Sequence, residues 1–190
     1  NGYRWDDFNP YVFMSDNYGA SWKSISNNLP ASSINVIKED PSNENVLYLG
    51  TDNGAYVSFN KGESWEVFSK GLPNVAVHDL VIQKEAKDLV LGTHGRSIYV
   101  ADVSLLQQMD SSKMNELLIA PIKSVKSSRR WGNSYSQWRV ANEPSIDIQF
   151  YSPQSGSATI RVETLEGKEL QEYSMEVSKG MTVFAYNATL

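Results

Sequence analysis

Ser15–Trp22 reads S-D-N-Y-G-A-S-W, and Ser58–Trp65 reads S-F-N-K-G-E-S-W. Serine, asparagine, glycine, serine and tryptophan stand at the same places in both, 43 residues apart, and Leu29-Pro30 recurs at Leu72-Pro73 with the same offset. A period of roughly 40–45 residues is the length of one four-stranded blade of a β-propeller. Strand-like runs flank each octapeptide: Tyr11–Met14 and Trp22–Ile25 around the first, Ala55–Val57 and Trp65–Phe68 around the second. Strand, polar Gly-containing loop, strand is the signature of a β-hairpin.

Turn chemistry accounts for each shared residue. The side-chain oxygens of Asn17 and Asn60 can accept from the loop backbone, and Gly19 and Gly62 supply positive φ without a steric penalty. Trp22 and Trp65 are then expected to fold back over their hairpins and bury a large apolar area. The alternative, that each loop binds a ligand, needs something beyond this chemistry. Ser15, Asn17, Gly19, Ser21 and Trp22, with Ser58, Asn60, Gly62, Ser64 and Trp65, therefore read as structural.

The walk outward continues in strands. Ser33–Lys38, Val46–Gly50, Ala55–Ser58 and Trp65–Phe68 make one blade, with turns at Asp40–Asn43 and Thr51–Gly54. The cycle restarts with Val75–Ile82, Asp88–Gly92 and Ser97–Val100, but no third octapeptide follows. Ser104–Met109 instead reads as a short helix with a serine cap. Residues 111–143 read as a linker that holds a possible closing strand, Leu117–Ile122, with Pro121 marking an edge or an end. Within it Lys123–Arg130 is basic and serine-rich. Arg129, Arg130 and Arg139 lie near Trp131, Tyr135 and Trp138, a mixture able to bind an anion or stack on a sugar, although basic connectors are usually just solvated. From Pro144 the pattern changes. Ile146–Tyr151 and Ala158–Val162 alternate, Glu169–Val177 and Met181–Tyr186 read as further strands, and short strands with regular turns suggest a β-sandwich. The expected organisation is terminal propeller blades over 1–110, the linker over 111–143, and an immunoglobulin-like sandwich over 144–190. The expected fold class is all-β: about two four-stranded blades of a partial propeller plus part of a sandwich.

Composition narrows the chemistry. The 190 residues are 41% apolar, enough for real cores. A net charge of −5 gives no support to nucleic acid as the main partner. No apolar run approaches the roughly 20 residues of a membrane span. Cysteine is absent, which excludes a cysteine zinc site, a thiol nucleophile and a disulfide framework.

Several segments resemble one bacterial group. They are R-W-D-D-F-N-P-Y-V-F (Arg4–Phe13), V-I-K-E-D-P (Val36–Pro41), L-G-T-D-N-G-A-Y-V-S (Leu49–Ser58), G-L-P (Gly71–Pro73) and L-G-T-H-G-R-S-I-Y-V-A-D (Leu91–Asp102). With the octapeptides, which resemble the Asp-box Ser-x-Asp-x-Gly-x-Thr-Trp, they look like the last blades of sortilin-like BNR-repeat "glycosyl hydrolase" proteins. In that group a small immunoglobulin-like domain of the flagellar-hook-cap type often follows the propeller. Asparagine stands here where the box usually has aspartate, and serine where it has threonine, so the charge that a cation would need is lost. The resemblance implies a location outside the cytoplasm of a bacterium. It also implies a parent with more blades and more sandwich strands than this chain holds. The lack of an initiator methionine at Asn1 fits that expectation. The partners expected are the remainder of that propeller, a glycan or protein ligand, and self-association through open strand edges.

The family name promises glycoside hydrolysis, which needs two carboxylates at a set separation. Asp6, Asp7, Asp52, Asp79 and Glu85 are candidates, but nothing in their spacing pairs them. Arg4, Arg96, Arg129, Arg130 and Arg139 are too scattered for a sialate clamp, and the family's N-terminal arginine motif is absent. His94 and Arg96, in the turn that matches Asp52-Asn53-Gly54 of the previous blade, are the candidates for a ligand site near the channel; a packed or hydrogen-bonded turn is the simpler reading. His78 reads as structural, and two histidines do not define a metal site. No catalytic residue, cofactor or metal is assigned. Asn187-Ala188-Thr189 matches a glycosylation acceptor by chance. The sequence thus points to a non-catalytic structural or binding module. The alternative is the accessory C-terminal part of a sialidase-like glycoside hydrolase whose active site lies in other blades.

Overall fold

A computed structural model describes residues 2–68, 71–110, 112–122, 124–125, 128–129, 131–132, 137–138 and 144–187. The chain is all-β, and its described helical residues form only short 3-10 turns. It divides into two compact units, Asn1–Ser112 and Lys113–Leu190.

The first unit holds three antiparallel sheets. β1 (Phe13–Met14) pairs with β2 (Lys23–Ser24). β3 (Ile34–Glu39), β4 (Leu47–Thr51), β5 (Gly54–Ser58) and β6 (Glu66–Val67) form a four-stranded meander in chain order. β7 (Val77–Gln83), β8 (Asp88–Thr93) and β9 (Ile98–Asp102) form a three-stranded one. The internal repeat extends to register. Phe13 faces Ser24 as Tyr56 faces Val67, each residue displaced by 43 places. β1–β2 is thus the same outer hairpin as β5–β6. The third sheet copies the second from the other side. Both slip register at the start of their first strand, between Ile34 and Val36 and between Val77 and Asp79. Asp52 N–H donates to Ser33 O at 3.1 Å, and His94 N–H donates to Ala76 O at 2.9 Å.

Strand β4 is buried at all five residues, as expected of an unbroken apolar run inside a sheet stack. Gly50 shows how tightly the stack closes. A methyl there would come within 2.8 Å of Val36 Cγ1, Val77 Cγ1 and Val77 O, so β7 can lie against β4 only because residue 50 has no side chain. Val12, Ile25, Leu29, Leu47, Leu49 and Trp65 form a core that joins the first hairpin to the four-stranded sheet.

The expected helix over Ser104–Met109 is instead a single 3-10 turn, Leu106–Gln108. Ser104 does not cap it. Its own N–H donates to the Asp102 carboxylate at 2.9 Å, and Leu105 takes the cap position without a side-chain bond. Val103, Leu105, Leu106 and Met109 are all buried, and the closing bonds, from Gln108 N–H to Leu105 O and from Met109 N–H to Leu106 O, span three residues as a 3-10 turn requires. Asp40 holds this segment from the sheet. Its buried carboxylate accepts from Ser42 and Asn43 N–H, from the Tyr48 hydroxyl at 3.1 Å and from Gln107 Nε2 at 3.0 Å. Asn43 Nδ2 adds bonds to Gln107 O and Met109 O. Burial, then the Asp40 charge, pushes the Tyr48 phenol far above its ordinary pKa.

In the second unit β10 (Leu118–Ile119), β11 (Ser145–Ser152) and β14 (Gly180–Asn187) form one sheet, in the order β10-β11-β14. β12 (Gly156–Glu163) and β13 (Glu169–Val177) form a separate hairpin. The chain leaves the first sheet after β11 and returns to it as β14. Tyr173 of β13 meets Phe184 and Tyr186 of β14 at ring centroid distances of 5.1 and 6.2 Å, which joins the two sheets by an aromatic contact. Leu118–Ile119, expected as a closing strand, pairs with Phe150–Tyr151 of β11. Of the basic and aromatic linker set, Arg130, Tyr135 and Arg139 lie outside the described residues, as do Ala188 and Thr189 of the glycosylation match.

Candidate functional site

The two octapeptide loops have the same internal geometry. Gly19 and Gly62 both have φ of 87°, and the preceding Tyr18 and Lys61 have 55° and 56°. The Ser15 and Ser58 hydroxyls accept from Gly19 N–H (2.7 Å) and Gly62 N–H (2.8 Å) and donate to Asn17 and Asn60 Oδ1. Asn17 and Asn60 Oδ1 also accept from Ser21 and Ser64 N–H, both at 2.9 Å. Their Nδ2 groups donate to the Ser21 and Ser64 hydroxyls. Asparagine therefore uses both ends of its amide, and a carboxylate in its place would lose the donor.

The tryptophans part company. Trp65 is 4% exposed, and its indole N–H donates to Ile25 O at 2.7 Å. Asn28 grips the Trp65 backbone from both sides, accepting from its N–H at 2.8 Å and donating to its C=O at 2.7 Å. Trp22, expected to be covered, is 65% exposed. It lies over Gly19 of its own loop, 3.7 Å from where a methyl would stand, and it is not part of the core cluster that holds Trp65. The motif sets the turn; burial of the ring depends on the neighbour that arrives.

A cavity of about 400 Å³ opens on the first unit, lined by Gly2, Asp7, Asn9, Tyr11, Ser33, Ile34, Asn35, Asp52 and His78. Three chain regions meet there: the segment before β1, the start of β3 with the β4–β5 turn, and the start of β7. The Tyr11 hydroxyl donates to Asp7 Oδ2 at 2.8 Å, and Asn9 donates to Oδ1 from its backbone (3.1 Å) and its side chain (2.8 Å). These bonds, Tyr11's first, hold the Asp7 carboxyl below its ordinary value, and the Asp7 acceptor raises the Tyr11 phenol. Asn35 Nδ2 donates to Asp52 Oδ1 at 2.9 Å and also reaches Val77 O. Much of the lining is thus hydrogen-bonding groups that hold one another, with the Tyr11 and His78 rings among the lining residues.

The candidates read from sequence fall unevenly around it. Asp7 and Asp52, which no spacing paired, share the cavity. His94 reaches it only through His78, whose ring lies 5.3 Å away at a tilt of 56°. Arg96 is exposed in the turn between β8 and β9 and is not part of the lining. Asn9, Tyr11 and Asn35 were missed because the groups that meet here come from positions far apart in the chain; the one local signal was the Asp-x-Asn-x-Tyr spacing of Asp7, Asn9 and Tyr11, which suits a side-chain-stabilised turn. Among the described residues no group of three or more His, Asp or Glu side chains is placed to hold a metal ion, and no helix is long and apolar enough to cross a membrane. No protein-family model, curated protein or solved structure matches this chain.

Proposed function

We propose that the chain is a non-catalytic recognition module of a larger extracytoplasmic bacterial protein, with blades of a BNR-repeat β-propeller followed by an immunoglobulin-like β-sandwich, and that its cavity takes a carbohydrate. The observation that carries the ligand class is the cavity lining. Carboxylates and amides whose geometry is already fixed by Asp7–Tyr11–Asn9 and Asp52–Asn35 bonds suit the dense hydroxyls of a sugar, and fixed partners reduce the ordering cost of binding. The Tyr11 ring adds an apolar face beside them. The architecture is supported by the register shared by β1–β2 and β5–β6 and by the two sheets of the second unit linked through Tyr173.

A second reading, the accessory part of a glycoside hydrolase, is favoured by one observation: Asp7 and Asp52 line one cavity. Hydrolysis needs a carboxyl group whose pKa is raised so that it can donate a proton. Asp7 is pushed the other way, which suits an acceptor and not an acid.

Saturation-transfer NMR of the whole chain against a panel of neutral and acidic oligosaccharides tests the reading. Asp52→Asn and Tyr11→Phe should each weaken the binding of whichever sugar responds by about tenfold, the worth of one charge-assisted or well-placed hydrogen bond. Turnover of an aryl glycoside that Asp7→Asn abolishes would replace binding by hydrolysis.

A further inference from the structure

We propose that the face formed by Gly19 and Trp22 is a docking surface for an Ile-x-x-Asn segment, ending in a turn as Ile25–Asn28 does, carried by another repeat. The chain supplies its own template. At the second loop Ile25 sits so close on Gly62 that a methyl there would be 2.6 Å from Ile25 Cδ1. The Ile25 carbonyl accepts from the Trp65 indole, Asn28 closes two bonds on the Trp65 backbone, and Asn27 Nδ2 donates to Glu63 O at 2.7 Å. One apolar plug and four hydrogen bonds thus hold the Ile25–Asn28 segment on the loop that follows it.

The first loop presents the other half of the same interface, one repeat earlier. Its glycine has the same φ and its turn the same bonds, yet only Trp22 itself lies near the Gly19 site, and the Trp22 indole N–H has no partner among the described residues. The surface repeats, 43 residues earlier in the chain, one side of an interface already formed within the molecule, and that interface indicates the chemistry of its occupant. That occupant has an aliphatic side chain for the space over Gly19 and a free carbonyl for the indole. It has an asparagine three residues later for the Trp22 backbone. A second copy of the chain is a poor fit. Its Ile25–Asn28 is engaged by its own Trp65, and at the place one repeat later Lys70-Gly71 replaces Asn27-Asn28.

The inference rests on the internal repeat and not on the cavity, whose lining does not include Trp22. The test is an NMR titration of the whole chain, with the indole N–H signals assigned by Trp22→Phe. The probe is the peptide of residues 23–30, K-S-I-S-N-N-L-P, up to millimolar concentration. Saturable shifts of the Trp22 indole and of the Ser15–Ser21 backbone amides are expected, the amide shifts abolished in Trp22→Ala and the binding weakened about tenfold when the peptide carries Asn28→Ala. Trp22 is exposed, so its variant should remain folded. No shift, or equal binding by Trp22→Ala, overturns the proposal. So does a wild-type dimer in sedimentation that Trp22→Ala converts to monomer, since the occupant would then be a second copy.

Discussion

The loops Ser15–Trp22 and Ser58–Trp65 share five residues, their hydrogen bonds and their backbone angles, but one tryptophan is 65% exposed and the other 4%. Identical local sequence has produced identical turns and opposite burial. The difference lies in Ile25–Asn28, which arrives at the second loop and has no counterpart at the first among the described residues. The octapeptide is therefore better regarded as one half of a fastener than as a self-contained unit: its stability contribution is set by a segment about 40 residues away in sequence, as the span of the indole bond from Trp65 to Ile25 shows.

Four experiments can break or sharpen that comparison. Trp65→Ala should destabilise the protein by ~3–5 kcal/mol through cavity formation in the core. Trp22→Ala should change it by less than ~0.5 kcal/mol, as a surface change does. Urea denaturation reads both, and similar values would remove the distinction. The glycines come next. Gly19→Ala meets only the left-handed backbone penalty of ~1–2 kcal/mol. Gly62→Ala meets the same penalty and the Ile25 side chain as well, an overpacking of ~1–3 kcal/mol more. Thermal melts of the pair should therefore differ, with Gly62→Ala the lower.

Asn28→Ala should cost ~1–2 kcal/mol, because the Trp65 N–H and C=O lose their partners at a half-buried site. In a Trp65→Ala background its cost should shrink, and a double-mutant cycle measures the coupling. The smallest effect concerns the segment leading into the first loop, where Asp7 and Tyr11 bond to each other; the positions 43 residues later are Gly50 and Gly54, so the second repeat has no such clasp. The Asp7 carboxyl should titrate below 3.8 in a carbon-detected NMR experiment, and Tyr11→Phe should move its midpoint upward. A carboxyl whose pKa is depressed by folding contributes stability that is present above the unfolded value and lost as pH falls through the folded one. The clasp should thus hold at neutral pH and release only in acid.

What the sequence made legible follows the range of the interactions. The turn residues of both loops act within four positions of one another, and they could be read directly. So could some of the strands: Glu169–Val177 has in the structure the bounds read from the sequence. Ser104–Met109 was misread because a serine cap is a local signal, while the turn adopted there answers to the burial of Leu105, Leu106 and Met109. The cavity was illegible for a similar reason. Asp7, Asn35, Asp52 and His78 become neighbours only when three sheets stack, and no spacing along the chain records that. The fate of Trp22 belongs to the same class, since nothing within its own octapeptide distinguishes it from Trp65.

The Asp40 cluster has a mechanical consequence. The bond from Gln107 to Asp40 spans 67 residues, and Asn43 clamps the backbone at Gln107 and at Met109. A pull on the chain beyond Met109 would therefore be carried into the buried meander at Asp40 and Asn43 before it could peel β9 from β8. The carboxylate works as a strain relief, like the knot inside a plug that keeps tension on the cord away from the contacts. Single-molecule stretching from residue 110 should find a resisting latch that Asp40→Ala releases, after which strands would unzip one at a time at low force.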